Sequence, residues 1–358
     1  MFDVAIIGGG IAGVSAAAEL SALGSVILLE AEAALGHHAS GRSAALYEPR
    51  YGNGAVVALS LASAPAYHAI EGLLAPRGLM VVAGAGDHAA FAADVAAMGM
   101  VPLAVAAARA MVPILNPAAV AHAAHADHAW DIDTDLMMQG YARRARAAGA
   151  RIVLGARVTG IARDSSGWRL DWPGGEAAAR VVVNAAGAWA DRVAVLAGVA
   201  PLGFTPLRRS MARLPAPAGM DVSRWPMVFG AGETWYMKPD AGALIVSPAE
   251  EDPVDEPHDA WADDMVLAEG LARYEAMVTE PVTRLLANWA GLRTFSPDRA
   301  PVIGFDRRVS GFFWLAGQGG YGFQSAAAAA RLVADLAGGR APEMPADILA
   351  ALSPGRFG

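Results

Sequence analysis

Val4-Ala5-Ile6-Ile7 is an unbroken run of apolar, largely β-branched residues, followed at once by Gly8-Gly9-Gly10-Ile11-Ala12-Gly13. Such a run, bounded by glycines, reads as a buried strand. Ala-rich sequence with helical spacing continues to about Leu23, and Ser25–Leu29 is a second apolar strand that ends in Glu30. Further on, the pattern predicts a helix over 55–75, a strand at Leu79–Ala83 and a short helix at Phe91–Met98. A helix capped in Asp133-Thr134-Asp135 runs to Ala148 and stops at Gly149. Short strands follow at 151–154, 157–163, 168–172 and 180–183. They are separated by the turn sequences Ser165-Ser166-Gly167 and Pro173-Gly174-Gly175. The last of them runs into Asn184-Ala185-Ala186-Gly187-Ala188-Trp189. Residues 205–290 mix strand and helix. Phe312–Ala316 reads as a strand, Gly317–Gly322 as a loop and Phe323–Leu336 as a helix.

Composition narrows the class. Hydrophobic residues make up 55% and charged residues 17% of the 358, which excludes intrinsic disorder. A chain of this length usually divides into two domains. The net charge of −8 supplies no excess of Lys and Arg for a nucleic-acid surface. With no cysteine there is no disulfide, Cys-ligated metal or thiol nucleophile, which fits a reducing compartment. Met1-Phe2-Asp3 has no basic region of the kind that opens a secretory signal. The longest uncharged run, Val309–Ala330, is interrupted by Gly317, Gly319, Gly320 and Gly322. It therefore reads as strand, loop and helix, and the expectation is a cytoplasmic protein with no integral membrane segment.

Each part of the N-terminal motif has a mechanical reason. Gly8 permits a tight turn, Gly10 lets a pyrophosphate approach the backbone, and Gly13 lets the helix pack close on the strand. The helix N-terminus offers free N–H groups to phosphate. Glu30 can accept from a ribose hydroxyl and would repel a 2′-phosphate. In its strand–helix–strand context this predicts dinucleotide binding. The motif alone leaves NAD and FAD open. After Glu30, however, the chain becomes the loop Gly36-His37-His38-Ala39-Ser40-Gly41-Arg42-Ser43 instead of alternating strands and helices, and this favours FAD.

Further stretches carry a resemblance: ASGRSAA, DIDTD, VVNAAGAW, RRS, WPM, YMKPDAG, WAGLR and FFWLAGQGGYG. With GGGIAG they make nearly the whole chain resemble the D-amino-acid oxidase/glycine-oxidase family of FAD enzymes, within it most nearly the bacterial D-arginine dehydrogenases. The resemblance implies an α/β fold: a GR2-type, Rossmann-like FAD-binding domain (1–75, 140–204 and 295–358) and an inserted α+β substrate domain with a mixed sheet (76–139 and 205–294). It implies noncovalent FAD, held by Gly8, Gly10, Ile11, Ala12, Gly13, Glu30 and Ala31 and by Ser40, Arg42, Ser43 and Ala44. Val158, Ala186, Gly187 and Trp189 continue the cofactor cleft. Arg293 and the loop Gly319, Gly320, Tyr321, Gly322, Phe323 and Gln324 would face the flavin.

For the substrate, the resemblance places Arg209 and Arg293 on an amino-acid carboxylate, a task that suits a guanidinium fork. Tyr236 joins them, Tyr51 lies on a loop covering the pocket, and the Gly320 carbonyl accepts from the amine. Arg208, adjacent to Arg209 in a strand, faces the other way. Leu46, Glu48, Leu79, Met227 and Phe229 form pocket walls. Leu79 and Leu46 stand where the arginine enzymes have a Glu and a His. The expectation is therefore a D-amino acid with an apolar side chain, with Glu48 the one residue able to receive a cation.

The implied reaction moves hydride from Cα to flavin N5, and the imino acid hydrolyses to a 2-keto acid and ammonia. O2 or a quinone would be the electron acceptor, and a monomer or weak homodimer the working form. Secondary amines such as sarcosine, proline or hydroxyproline are the alternative substrates; an NAD-dependent dehydrogenase and an FAD-binding scaffold without turnover are further readings. His122, His125 and His128 lie near Asp127, Asp131 and Asp133 but lack metal-site spacing, and the segment reads as a surface loop. No metal is expected. His37-His38 is not placed for a covalent flavin bond, and the acidic stretch Glu250–Asp259 reads as a solvated loop.

Overall fold

The computed structural model describes residues 1–358. The apolar run at the N-terminus forms strand β1 (Phe2–Ile7), whose side chains alternate between two cores. Val4 and Ile6 enter one, among helices; Ala5 and Ile7 enter another, with Trp168, Leu170 and Trp314, on the opposite face. β1 is central in a sheet of eight strands. It pairs in parallel with β2 (Val26–Leu29) on one side and with Gly175–Asn184 on the other. Arg151–Val153 continues the parallel order beyond β2, and Phe312–Ala316 pairs in parallel with Val182, Val183 and Asn184. The hairpin Gly160–Asp164 and Gly167–Trp172 adds antiparallel strands at the other end of Gly175–Asn184.

The parallel strands end on one side of the sheet. Ile7 leads into Gly8, Leu29 into Glu30, Asn184 into Ala185 and Ala316 into Gly317. Ligands of open parallel sheets bind outside these carboxyl ends. Helix α1 (Ile11–Leu20) packs over one face with the helices Gly54–His68, Thr134–Ala147 and Gly322–Ala337. Its Ala16, Ala17 and Ala18 and the run Ala326–Ala330 are buried. Small side chains let these backbones come close, and larger residues such as Leu332 and Ile6 add about 1.5–3 kcal/mol each on burial. Gly13 has no room for a side chain: a Cβ there would lie 1.9 Å from the Gly8 carbonyl oxygen.

A second sheet of nine strands draws on Leu79–Ala83, Val101–Leu103, His122–Ala126 and most of the chain from Thr205 to Phe295. It is mixed: Leu79–Ala83 runs parallel to Met227–Gly230, while the other pairs are antiparallel. Leu46–Tyr47, Leu74–Pro76 and Trp130–Ile132 form a small third sheet. There Asp131 accepts from Arg77 Nε (2.8 Å) and Lys238 Nζ (2.8 Å), tying this sheet to the larger one. The architecture is thus α/β, a Rossmann-like unit combined with a mixed-sheet unit.

Three local expectations are corrected. The helix predicted over 55–75 ends at His68; beyond it Gly72 turns the chain at φ +76°, and Leu73 reaches the core from outside the helix. The surface loop expected around His122–His128 contains a strand, His122–Ala126, with Ala123, Ala124 and Ala126 buried. Alanine is a poor strand former, so the neighbouring Leu79–Ala83 supplies the pairing that its sequence does not advertise. The acidic stretch is not merely solvated. Glu251 pairs with Arg209 and Arg299, Asp252 with Arg208, and Asp259 with Arg42.

The Gly13 contact gives a direct prediction. Gly13→Ala forces α1 off β1 and lowers the unfolding free energy by about 1–3 kcal/mol, as overpacking does. Denaturant unfolding identical to the wild type would contradict that packing.

Candidate active site

At the carboxyl edge of the first sheet lies a cavity of about 320 Å³. One end is walled by Glu30, Ala31 and Val158, the middle by Gly8, Gly10, Ile11, Ala12, Ser40, Arg42 and Ser43, and the far end by Arg209, Arg293, Gly319, Gly320, Gly322 and Phe323. Ala186, Gly187 and Trp189 also line it. Of the residues expected at the cofactor, four lie elsewhere. Gly13 is packed beneath the glycine turn. Ala44 and Gln324 line an adjoining smaller cavity, and Tyr321 stacks edge-on behind Tyr51.

The cavity has the features a dinucleotide requires. Gly8 has φ +109°, the left-handed region glycine tolerates. The position of a Cβ on Gly10 meets only Ser40 Oγ, at 3.2 Å, so its backbone faces open space. Ser40 Oγ accepts from the Ile11 N–H at 3.0 Å, fixing the loop against the start of α1. Glu30 is buried and accepts from the backbone N–H groups of Gly9 and Glu32. Arg42 is committed differently from expectation. Its guanidinium donates to the carbonyls of Ala260 and Ala290 and pairs with Asp259, so it braces the loop against the second unit.

The smaller cavity, about 90 Å³, shares Ser43, Arg209, Arg293 and Gly320 with the larger one. The two arginines stand together because of strand register. Thr205–Pro215 pairs antiparallel with Ala287–Phe295, setting Leu207 opposite Arg293 and Arg209 opposite Gly291. Arg209 and Arg293 therefore share one face, while Arg208 points away to Asp252. Gly291, opposite Arg209, lies against the loop that carries Ala39 and Arg42. Arg293 forms no salt bridge, and Gly320 lies against its guanidinium, where a Cβ would come within 2.9 Å of Nη1.

Electrostatics leave this corner ready for an anion. Burial, and next the neighbouring Arg293, pull the Arg209 pKa below the usual guanidinium value. Arg293 is desolvated as well, but Tyr236, Tyr51 and Glu233 outweigh this and hold its pKa above the ordinary value. Arg209 keeps one ion pair, to Glu251 at 3.3 Å, and its buried Nε has no partner. The buried Tyr236 hydroxyl has none either. Buried polar groups are ordinarily satisfied, so a cluster of orphans beside two cations marks where a ligand belongs.

The other expected pocket residues, Tyr51, Leu46, Glu48, Leu79, Met227 and Phe229, all line the smaller cavity. Tyr51 donates from its hydroxyl to Glu233 Oε2 at 2.7 Å, and Gln324 Nε2 donates to the Tyr51 carbonyl at 3.0 Å. Burial and Glu233 raise the Tyr51 pKa, so its hydroxyl stays protonated. Glu233, Met98 and Trp235 were not foreseen. Glu233 sits in a turn with φ +55°, and nothing in a Gly-Ala-Gly-Glu sequence signals a site. The wall is not purely apolar, because Glu48 belongs to it. Of the histidines in that segment, His122 stacks on Phe91, His125 lies by Asp127 and His128 by Glu48.

A glycine-turn cleft thus opens onto a second pocket lined by paired arginines. The particular family follows from comparison. The model of the DAO family, FAD dependent oxidoreductase, matches residues 3–336, and the chain belongs to that family. The glycine oxidase of Geobacillus kaustophilus is 29% identical over 231 residues, 63% of this chain and 58% of that protein. Hydrogen cyanide synthase subunit HcnC of Pseudomonas aeruginosa is 26% identical over 207 residues, 54% of this chain and 46% of its own. A D-amino acid dehydrogenase of Methylobacterium radiotolerans is 45% identical over 62 residues, 17% of this chain and 15% of that protein. The alignments thus span about half or less of these first relatives' length. The crystal structure of the Geobacillus kaustophilus glycine oxidase superposes with a TM-score of 0.84, covering 98% of both chains at 26% identity. No helix is long and apolar enough to cross a membrane.

Two predictions follow from this geometry. Gly10→Ala, whose new methyl group faces the cavity, leaves the melting temperature nearly unchanged but lowers flavin retention on gel filtration; full retention would contradict the assigned approach. Burial pushes the Glu48 carboxyl up to about 7, against the opposing Arg50. Stability from this raised value is complete below the ordinary carboxylate pKa and is lost as pH rises through 7. Glu48→Gln should therefore gain about 1–3 kcal/mol on the wild type between pH 5 and pH 8. Equal urea midpoint differences at both values would contradict it.

Proposed function

We propose that this chain oxidises a D-amino acid at Cα, releasing an imino acid that water converts to a 2-keto acid and ammonia. The observation that carries the reading is the pair Arg209 and Arg293, with the unpartnered Tyr236 hydroxyl, at the junction of the two cavities. FAD, bound noncovalently by Gly8, Gly10, Glu30, Ser40, Ser43, Val158 and the Gly319–Gly322 loop, would supply the hydride acceptor.

The chain's own residues do the rest. The two guanidinium groups hold the carboxylate, and Tyr236 adds a donor. The Gly320 carbonyl accepts from the amine and orients it; once deprotonated, the neutral amine is the form able to release hydride. The N-terminus of the helix Gly322–Ala337 lends positive potential to negative charge arising nearby. Tyr51, tethered to Glu233, closes the pocket and limits water. Most of the acceleration comes from this positioning. Leu46, Leu79, Met98, Met227 and Phe229 favour a side chain with an apolar body, while Glu48 and Glu233 repel an acidic one.

Anaerobic mixing of the yellow holoprotein with a substrate panel tests this. D-Leu and D-Met should bleach the visible flavin absorption, with L-isomers ineffective and D-Asp at least tenfold slower. Faster bleaching by sarcosine or proline would establish a secondary-amine enzyme, and no bleaching by any amino acid would overturn the proposal. Oxygen uptake against reduction of a quinone analogue assigns the acceptor.

A further inference from the structure

Resting on the amino-acid reading above, the geometry points to Glu48 as the residue that selects the far end of the substrate's side chain: the smaller cavity takes an apolar stem ending in a cation or N–H donor. Glu48 follows directly on the strand Leu46–Tyr47 and is only 2% exposed, yet it lines the cavity. Its Oε1 accepts from the Arg50 backbone N–H at 2.9 Å. Its Oε2 is buried with no partner.

The neighbouring groups do not relieve that oxygen. His128 Nε2 lies 3.2 Å from Oε1 but is itself unpartnered, so the two are not aligned for a hydrogen bond. Burial and Arg50 lower the His128 pKa, which disfavours a charged ring beside Glu48. The Arg50 guanidinium lies beside Gly99 and forms no ion pair with Glu48, although its charge partly offsets the carboxylate. Glu233, the other carboxylate in the cavity, already accepts from Tyr51 at the clamp end. What remains is an apolar passage between Leu46, Leu79, Met98, Met227 and Phe229, with Arg209 and Arg293 at the carboxylate end and Glu48, its Oε2 buried and unpartnered, in its wall.

An unsatisfied buried acceptor is costly, and an entering donor removes the cost. A substrate clamped by its carboxylate can present such a donor only from its side chain. An aliphatic tip of the same length leaves Oε2 unpartnered, and a carboxylate tip meets repulsion.

The test compares D-lysine with D-norleucine, which share a stem and differ in ammonium against methyl, using the holoenzyme at about pH 8. The wild type should show the higher kcat/KM for D-lysine. Glu48→Leu and the isosteric Glu48→Gln should lower the lysine-to-norleucine ratio about 10- to 100-fold, the value of a charged hydrogen bond. The ratio cancels any loss common to both substrates, and Glu48→Gln serves if the leucine variant does not fold. A ratio the same in wild type and variants would show a merely structural core acid and overturn the assignment while leaving the amino-acid reading intact. Failure of every amino acid to reduce the flavin would sink that reading, and this assignment with it.

Discussion

Two guanidinium groups held side by side away from water repel one another, and the whole site is arranged around that repulsion. Arg209 offsets part of its charge through Glu251. Arg293 has no ionic partner and relies on Tyr51, Tyr236 and Glu233 nearby. In the proposed reading, an anion between them would satisfy both cations and the orphaned Tyr236 hydroxyl together. The strand pair Thr205–Pro215 and Ala287–Phe295 bears the strain of holding the cations in place. Its register puts them on one face, and Gly320 leaves room for Arg293.

The second constraint is the meeting of two sheets. One delivers the carboxyl ends of parallel strands to a long cleft, and the other delivers the arginines to its far end. Arg42 shows how closely the two are fastened. It reaches from the loop after β2 to the carbonyls of Ala260 and Ala290. Losing this brace would leave two buried carbonyls short of a donor, so Arg42 maintains the cleft's shape as well as lining it.

Much of this was legible in the chain. The glycine turn, β1, β2, the Phe312–Ala316 strand and the helix beginning after Gly320 follow from apolar runs and glycine spacing, because local sterics decide them. The resemblance to DAO enzymes pointed to Arg209, Arg293 and Tyr236, and the structure brings them together. What the sequence did not reveal depends on partners far along the chain. His122–Ala126 is a strand because Leu79–Ala83 lies beside it. Glu251 and Asp259 look like solvated acids until Arg209 and Arg42 arrive from distant segments. Glu233 enters the pocket through a positive-φ turn that no residue pattern announces, and the inward aim of Glu48 is settled by burial alone.

The most direct measurement is the binding of a simple carboxylate that cannot be oxidised, such as benzoate, followed by its perturbation of the visible flavin spectrum. The wild type should bind it in a saturable way. Arg293→Met should weaken binding by about 100-fold or more, since the interaction is charge-assisted and shielded from water, while flavin content stays the same. Equal affinity in the two proteins would show that the anion lies elsewhere and that the paired cations do not form the clamp.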